Sequence, residues 1–184
     1  MQKDREKWNR RYRSKQYPSR PSKIVRQYYH LARRGRALDI AAGNCRNAIF
    51  LSDKGFVVDA LDISDVGLAL QCAGNPNINR ICADLEKFFL PANRYELILN
   101  LKYLNRLLFP QIIESLLPGG VLIFETFLKT DLPADKVKMR PEHLLDENEL
   151  LHGFTSLKIK FYRETFVATA GDPYPKASLI AFKP

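Results

Sequence analysis

The sequence predicts an α/β fold: a Rossmann-like, mostly parallel sheet with helices on both faces and a C-terminal antiparallel hairpin. Three observations predict it. Short apolar runs alternate with amphipathic stretches through residues 37–127, the pattern of βα units joined by right-handed crossovers. Acids recur with that alternation, Asp39, Asp62 and Asp84, spaced by 23 and 22 residues, about one βα unit. Beyond Leu128 the period changes to two β-rich runs joined by Gly171-Asp172-Pro173-Tyr174-Pro175, a hairpin signature.

Residues 2–16 are polar and helix-compatible, with Trp8 and Tyr12 four apart on one face among arginines. Pro18 and Pro21 interrupt that pattern. Ser22 is placed to cap a second helix reaching about Arg34, with Ile24, Tyr28 and Leu31 at helical spacing and Gly35 as its stop. Strands are expected at Ala37–Ala41, Val57–Ile63, Arg80–Ala83, Tyr95–Leu101 and Gly120–Phe127, with helices from about Arg46 to Lys54, Ser64 to Ala73 and Tyr103 to Leu116. A Pro-containing loop and a short helix near Asp146–His152 lead to the last two strands, Ser156–Phe166 and Lys176–Phe182.

At 184 residues, 46% hydrophobic and 27% charged, the composition excludes disordered, collagen-like and disulfide-scaffold classes. One domain is expected over 1–184: a basic helical segment at 1–36, a cofactor-binding core at 37–127, and a substrate loop with hairpin at 128–184. No apolar run approaches the ~20 residues that span a bilayer, and Met1–Tyr17 has no hydrophobic signal core, so a cytoplasmic protein with no membrane partner is expected. Cys45, Cys72 and Cys82 form no C-x-x-C pair and have no histidine at zinc-ligand spacing; buried thiols are expected and no metal is implied. The net charge of +9 is concentrated: residues 1–36 carry thirteen Lys/Arg against Asp4 and Glu6, a balance of +11.

In an open parallel sheet, ligands bind outside the carboxyl ends of the strands. An acid ending the second strand is placed to accept hydrogen bonds from ribose hydroxyls, and the two oxygens of Asp62 match the two donors. The turn after the first strand reads Ala41-Ala42-Gly43-Asn44-Cys45-Arg46-Asn47, small enough for a ligand to approach the backbone. Tested as G-x-G-x-x-G it gives Ala41, Gly43 and Arg46, so two glycines are absent and a long cation occupies the helix-packing position. A pyrophosphate-binding dehydrogenase is disfavoured; a cofactor with a ribose and no phosphate fits better.

These residues resemble the class I S-adenosylmethionine-dependent methyltransferases, and within them the small bacterial group that includes tellurite-resistance methyltransferases. Trp8-Asn9-Arg10-Arg11-Tyr12 is similar to the Trp-x-x-Arg-Tyr helix that opens the family, and Asp39 to Ala48 to its glycine-rich turn with Arg-Asn-Ala. Asp62 matches the ribose acid, with Ile63 after it; Asp84-Leu85 resembles the pair beside the adenine; Leu117-Pro118-Gly119-Gly120 resembles the turn into the fifth strand. The resemblance implies S-adenosylmethionine as cofactor, with Trp8, Tyr12, Asp39, Ala41, Gly43, Arg46, Asp62, Ile63, Asp84, Leu85 and Asn100 around it. Where the family has Gly-x-Gly-x-Gly, this chain has Ala41, Gly43 and Cys45. A methyl at Ala41 is harmless where φ is negative, whereas Cys45 is strained where φ is positive.

Asn100-Leu101-Lys102-Tyr103 resembles the Asn-Pro-Pro-Tyr signature of amide- and base-N-methyltransferases without its prolines, leaving Asn100 and Tyr103 as residues lining the site. Tyr103, Glu125 at the end of the fifth strand and His143 on the loop from Lys129 to Leu145 are the candidate catalytic groups. That loop, which carries Lys129, Lys136, Lys138 and Arg140, is placed to set specificity. The function expected is methyl transfer to a small-molecule acceptor; the oligomeric state is left open. The alternative is an RNA methyltransferase or nucleic-acid-binding protein using the basic N-terminal segment, where Trp8, Tyr12, Tyr17, Tyr28 and Tyr29 interleave with the cations.

Overall fold

Ala37, Leu38 and Ile40 of the first strand, β1 (Arg36–Ile40), are wholly buried although they point to opposite faces, which requires a strand covered on both sides. The computed structural model, which describes residues 2–130, 139–166 and 174–184, supplies that cover. β2 (Val57–Asp62), β3 (Ile78–Cys82), β4 (Tyr95–Leu101) and β5 (Leu116–Phe127) pair in parallel around β1, and β6 (Lys158–Thr165) and β7 (Lys176–Phe182) add antiparallel strands. The order β3-β2-β1-β4-β5-β7-β6 places the last strand against β5 and the sixth at the edge.

Two apolar layers flank the sheet. Leu38, Ile40, Ile98 and Phe124 pack under α5 (Leu108–Ser115) and α6 (Glu149–Gly153). Ala37, Val58, Leu97 and Leu99 face α2 (Lys23–Tyr28), α3 (Arg46–Asp53) and α4 (Asp65–Cys72). The strand order reverses between β1 and β4, so the crevice for a ligand opens at their carboxyl ends. The first helix, α1 (Gln2–Ser14), has no buried residue and lies against α4. Among the described residues no helix is long and apolar enough to cross a membrane.

Some features differ from the sequence-based expectation, beyond β3 beginning at Ile78 rather than Arg80 and β5 at Leu116 rather than Gly120. The helix expected from Ser22 to Arg34 stops at Tyr28 and tightens into a 3-10 turn, Tyr29–Leu31, where Tyr29 packs edge-on to Phe50 at 5.1 Å and Tyr28 lies 5.5 Å from Phe161. α5 begins at Leu108 rather than Tyr103, because Pro110 has no N–H to give Arg106 and is tolerated only in a first turn. Cys82 is exposed, while Cys45 and Cys72 are buried as expected.

The loop after β5 leaves and returns through one knot of backbone bonds: Lys129 N donates to Leu145 O and Leu145 N to Phe127 O, each at 2.9 Å. Its returning half is held by the Arg106 guanidinium, which donates to the carbonyls of Glu142 and Leu144 and pairs with Glu149. The hairpin turn expected at Gly171–Pro175 lies outside the described residues up to Pro173, as do Lys136 and Lys138.

Candidate functional site

Three residues of the turn after β1 adopt left-handed backbone: Ala41 (φ 52°), Gly43 (φ 59°) and Cys45 (φ 62°). The alternation curls the chain so that Gly43 N points at Asp62 Oδ2, 2.8 Å away at the end of β2. The premise of negative φ at Ala41 is therefore corrected, and both side chains that replace glycine sit where an L residue is strained by about 1–2 kcal/mol. Asp62 Oδ1 accepts from Ser64 N, also at 2.8 Å. Burial raises the Asp62 carboxyl, and the backbone donors of Ser64, Gly43 and Ile63 oppose that shift. A carboxylate has about four lone-pair sites, and the backbone donors here fill fewer than four, so capacity for a hydroxyl remains.

α1 is strapped across this junction by one face. Arg5 Nε donates to Ile63 O at 3.1 Å and its Nη2 to Cys82 Sγ at 3.2 Å. One turn on, Asn9 accepts from Ser64 Oγ at 2.6 Å and donates to Asp65 Oδ1 at 2.8 Å, while Ser64 Oγ also accepts from Gly67 N as the cap of α4. Tyr12 then lies over the turn. A Cβ at Gly43 would meet its hydroxyl at 2.5 Å, and one at Gly67 would meet its ring at 2.9 Å. Trp8 stands beside Tyr12, 6.1 Å between ring centroids, and carries the Arg11 guanidinium at 4.8 Å. Arg5 and Asn9 escaped the sequence reading because apolar periodicity passes over polar side chains; their i, i+4, i+7 spacing with Tyr12 was the available signal.

Asp39 is buried beneath the turn with one carboxylate oxygen lacking any hydrogen bond. Burial pushes its acid up to about 7, against the pull of the Arg46 guanidinium. Arg46 itself donates to Ser22 Oγ at 3.1 Å. At the next strand end, Asp84 Oδ1 accepts from Glu86 N and shapes a turn in which Leu85 is buried. Asn100 is buried between Ile40 and Phe124 in the sheet register and donates to the Tyr103 carbonyl at 2.7 Å.

The three candidate catalytic groups are differently placed. Tyr103 is partly buried, which pushes its phenol up to about 12. Glu125 accepts from Ser178 Oγ at 2.9 Å and lies 4.0 Å from Lys176 Nζ. His143 is exposed on a 3-10 turn, Pro141–His143, with Arg140 2.9 Å from its Nε2. Lys129 is paired with Asp146, and Arg140 with Glu142. Of the expected residues the structure thus gathers Tyr12, Asp39, Ala41, Gly43, Asp62 and Ile63 at one junction, whereas the side chains of Glu125 and His143 bond elsewhere. Two carboxylates beside a turn of positive φ, with the nearest cation engaged by Ser22, suit a cationic nucleoside with a free ribose diol and no phosphate.

Comparison with known proteins gives concordant results. The family model described as tellurite resistance protein TehB matches residues 3–164. TehB from Haemophilus influenzae superposes with a TM-score of 0.73 at 18% identity, over 98% of this chain and 67% of that one. An S-adenosylmethionine-dependent methyltransferase from Mesorhizobium loti gives 0.63 at 19%, over 80% and 90%. Phosphoethanolamine N-methyltransferase 2 of Haemonchus contortus, in complex with S-adenosylmethionine, gives 0.70 at 15%, over 88% and 51%. These likenesses establish a shared fold. No curated protein matches the chain.

Proposed function

The chain belongs to the TehB family and is an S-adenosylmethionine-dependent methyltransferase, and from that premise we propose that it methylates a small molecule held over the carboxyl ends of β4 and β5. The observation that carries the reading is the Asp62 carboxylate, oriented by Gly43 N and Ser64 N and roofed by α1. When bound, the cofactor supplies a methyl group on a sulfonium, already activated for in-line displacement. The protein's share is positioning.

Asp62 takes the ribose hydroxyls, with Asp84 and Leu85 at the base and Gly43 at the methionine end. The burial of Asp39 and Asp62 beside this turn favours a positively charged ligand. Tyr12 and Trp8 close the roof and exclude water. Asn100 fixes the Tyr103 loop on the acceptor side, and Tyr103 remains protonated at neutral pH, able to donate a hydrogen bond but not to take a proton. An acceptor that is soft or already ionised needs no base at all.

A small acceptor is favoured over nucleic acid because part of the basic segment is already engaged: Arg5 on Ile63 and Cys82, Arg11 on Trp8, and Arg36 on Asp59. The family's description, resistance to tellurite, also speaks of a small solute. Calorimetry tests the reading directly. S-adenosylmethionine and S-adenosylhomocysteine are expected to bind while NAD gives no heat, and equal affinity for NAD would overturn it.

A further inference from the structure

Cys45, in the turn before α3, and Cys72, the last residue of α4, are 27 residues apart, yet their sulfurs lie 2.6 Å apart in the buried layer beneath the cofactor turn. Non-bonded heavy atoms rest at roughly 3.5–4.0 Å. A disulfide has an S–S distance of about 2.05 Å, so the two sulfurs already stand closer to bonding distance than to ordinary packing distance. Both sulfurs also point at one carbonyl, Leu68 O of α4, at 3.8 Å from Cys45 and 2.9 Å from Cys72. Nothing in the methyl-transfer reading uses either thiol.

We propose that Cys45 and Cys72 form a reversible disulfide that pins the cofactor turn to the end of α4 and weakens S-adenosylmethionine binding. This rests on the cofactor reading above. The oxidant class is a hydroperoxide. Cys72, as thiolate, attacks the outer peroxide oxygen and breaks the O–O bond, giving a sulfenic acid and, after protonation, an alcohol or water. The Cys45 sulfur then attacks the Cys72 sulfur; the S–S bond forms, the S–O bond breaks, and the released hydroxide takes the Cys45 proton as water. Two thiols and one hydroperoxide become one disulfide, one alcohol or water, and one further water.

The order of attack follows from the pair's polarity. The hydrogen bond between them raises Cys45 and lowers Cys72, with burial adding to the rise at Cys45 and opposing the fall at Cys72. Both thiols are buried, and the surface comes within one residue of each. A cavity of about 290 Å³ under the end of α1 is lined by Asn44 and Gln71, the residues preceding the two cysteines, together with Tyr12.

The expected effect on binding comes from the tightness of the turn. Tyr12 leaves no spare volume above Gly43, where even a methyl group would collide. A ligand approaching Gly43 displaces the Tyr12 hydroxyl, and a covalent tie from Cys45 to α4 fixes the turn two residues from Gly43, so that it cannot adjust to the ligand.

The test treats reduced full-length protein with hydrogen peroxide, removes the oxidant with catalase, and follows free thiols, peptide masses and cofactor affinity. Two of the three thiols should disappear, a peptide pair containing Cys45 and Cys72 should appear about 2 Da lighter than the sum of the reduced peptides, and the Kd for S-adenosylmethionine should rise about fivefold or more. Dithiothreitol should restore both. Cys72→Ser, and independently Cys72→Ala, should bind like the reduced protein and be indifferent to peroxide. Absence of the Cys45–Cys72 peptide, or its formation with unchanged affinity, overturns the proposal. If the reduced protein bound no S-adenosylmethionine, the cofactor reading would fall and the switch with it, with the disulfide itself still decided by mass.

Discussion

Asn9 of the first helix and Ser64 at the end of the second strand's turn share a 2.6 Å hydrogen bond, the hydroxyl donating to the amide oxygen. Ser64 N in turn donates to Asp62, so a two-residue relay connects α1 to the carboxylate that ends β2. Replacing Asn9 by Ala removes this bond and the one to Asp65, each worth about 0.5–1.5 kcal/mol. Amides of α1 should exchange faster with solvent and S-adenosylmethionine should bind more weakly, while the melting temperature of the core stays within about 1 °C. Unchanged exchange in α1 would show that Arg5 and Tyr12 alone hold the helix.

Asp62 holds two backbone N–H groups and, in the proposed reading, the ribose as well. Asp62→Ala would strand two buried N–H groups, at about 1–3 kcal/mol each, and should lower stability as well as binding. Asp62→Asn keeps one acceptor and is the cleaner probe. Its S-adenosylmethionine affinity is expected to fall by about 1.5–3 kcal/mol, the scale of charged hydrogen bonds, with a smaller change in melting temperature. Wild-type affinity in Asp62→Asn would move the ribose site elsewhere.

Ala41 offers a test of backbone strain that barely disturbs packing. Its φ of 52° is one that glycine adopts freely. Ala41→Gly should raise the melting temperature by about 1–3 °C, since a chain of this size gains roughly 2–4 °C per kcal/mol and glycine's flexibility when unfolded offsets part of the gain. A lower melting temperature would mean that the methyl group's contacts outweigh the strain.

Asp39 sets a pH dependence whose sign follows from its burial. In the unfolded chain its acid titrates near the ordinary value of ~3.9, whereas in the fold it is pushed up to about 7. Below both values the carboxyl is protonated in either state. Between them the unfolded chain releases the proton while the fold retains it, so stability present at low pH is lost as pH rises through about 7. Asp39→Asn removes that loss. Its advantage over wild type in thermal melts should be small near pH 4 and grow by on the order of a few kcal/mol by pH 8; an advantage independent of pH would mean that Asp39 is not the titrating group.

Charge separates the two substrate classes. If the basic segment grips RNA, log K must fall with log[salt] by about 0.7 per neutralised phosphate. For this chain RNA binding is expected to be weak, indifferent to sequence and gone by about 200 mM salt. The triple variant Arg10→Gln, Arg11→Gln, Arg13→Gln keeps Trp8 and Tyr12, and should keep both cofactor affinity and methyl transfer. Activity abolished together with RNA binding, at unchanged cofactor affinity, would establish the nucleic-acid enzyme instead.

Much of the architecture was legible because it is written in local periodicity. Buried parallel strands such as Leu97–Leu101 are near-continuous apolar runs, and the three acids follow the βα repeat, so β1 to β5 and the position of Asp62 could be read directly. What failed to show was set by contacts between distant residues. The second helix tightens to a 3-10 turn at Tyr29, where Tyr28 meets Phe161 and Tyr29 meets Phe50, partners more than a hundred and more than twenty residues away. The sulfur pair joins residues 27 apart whose adjacency depends on how α3 and α4 pack. Asn9 and Arg5 carry the roof through polar groups, and a polar side chain on an exposed helix looks the same in sequence whether it meets water or a strand end.

The backbone knot at Phe127, Lys129 and Leu145 has a consequence for how the protein can change. A segment whose two ends meet at one closed point can change length cheaply, since each doubling of its length adds only about 0.6 kcal/mol of closure entropy. Arg106 extends the anchorage to Leu144 on the returning side. Whatever lies between these two anchors can accordingly be lengthened, shortened or exchanged, by evolution or by a designer, while the closure at Phe127 and Leu145 stays the same.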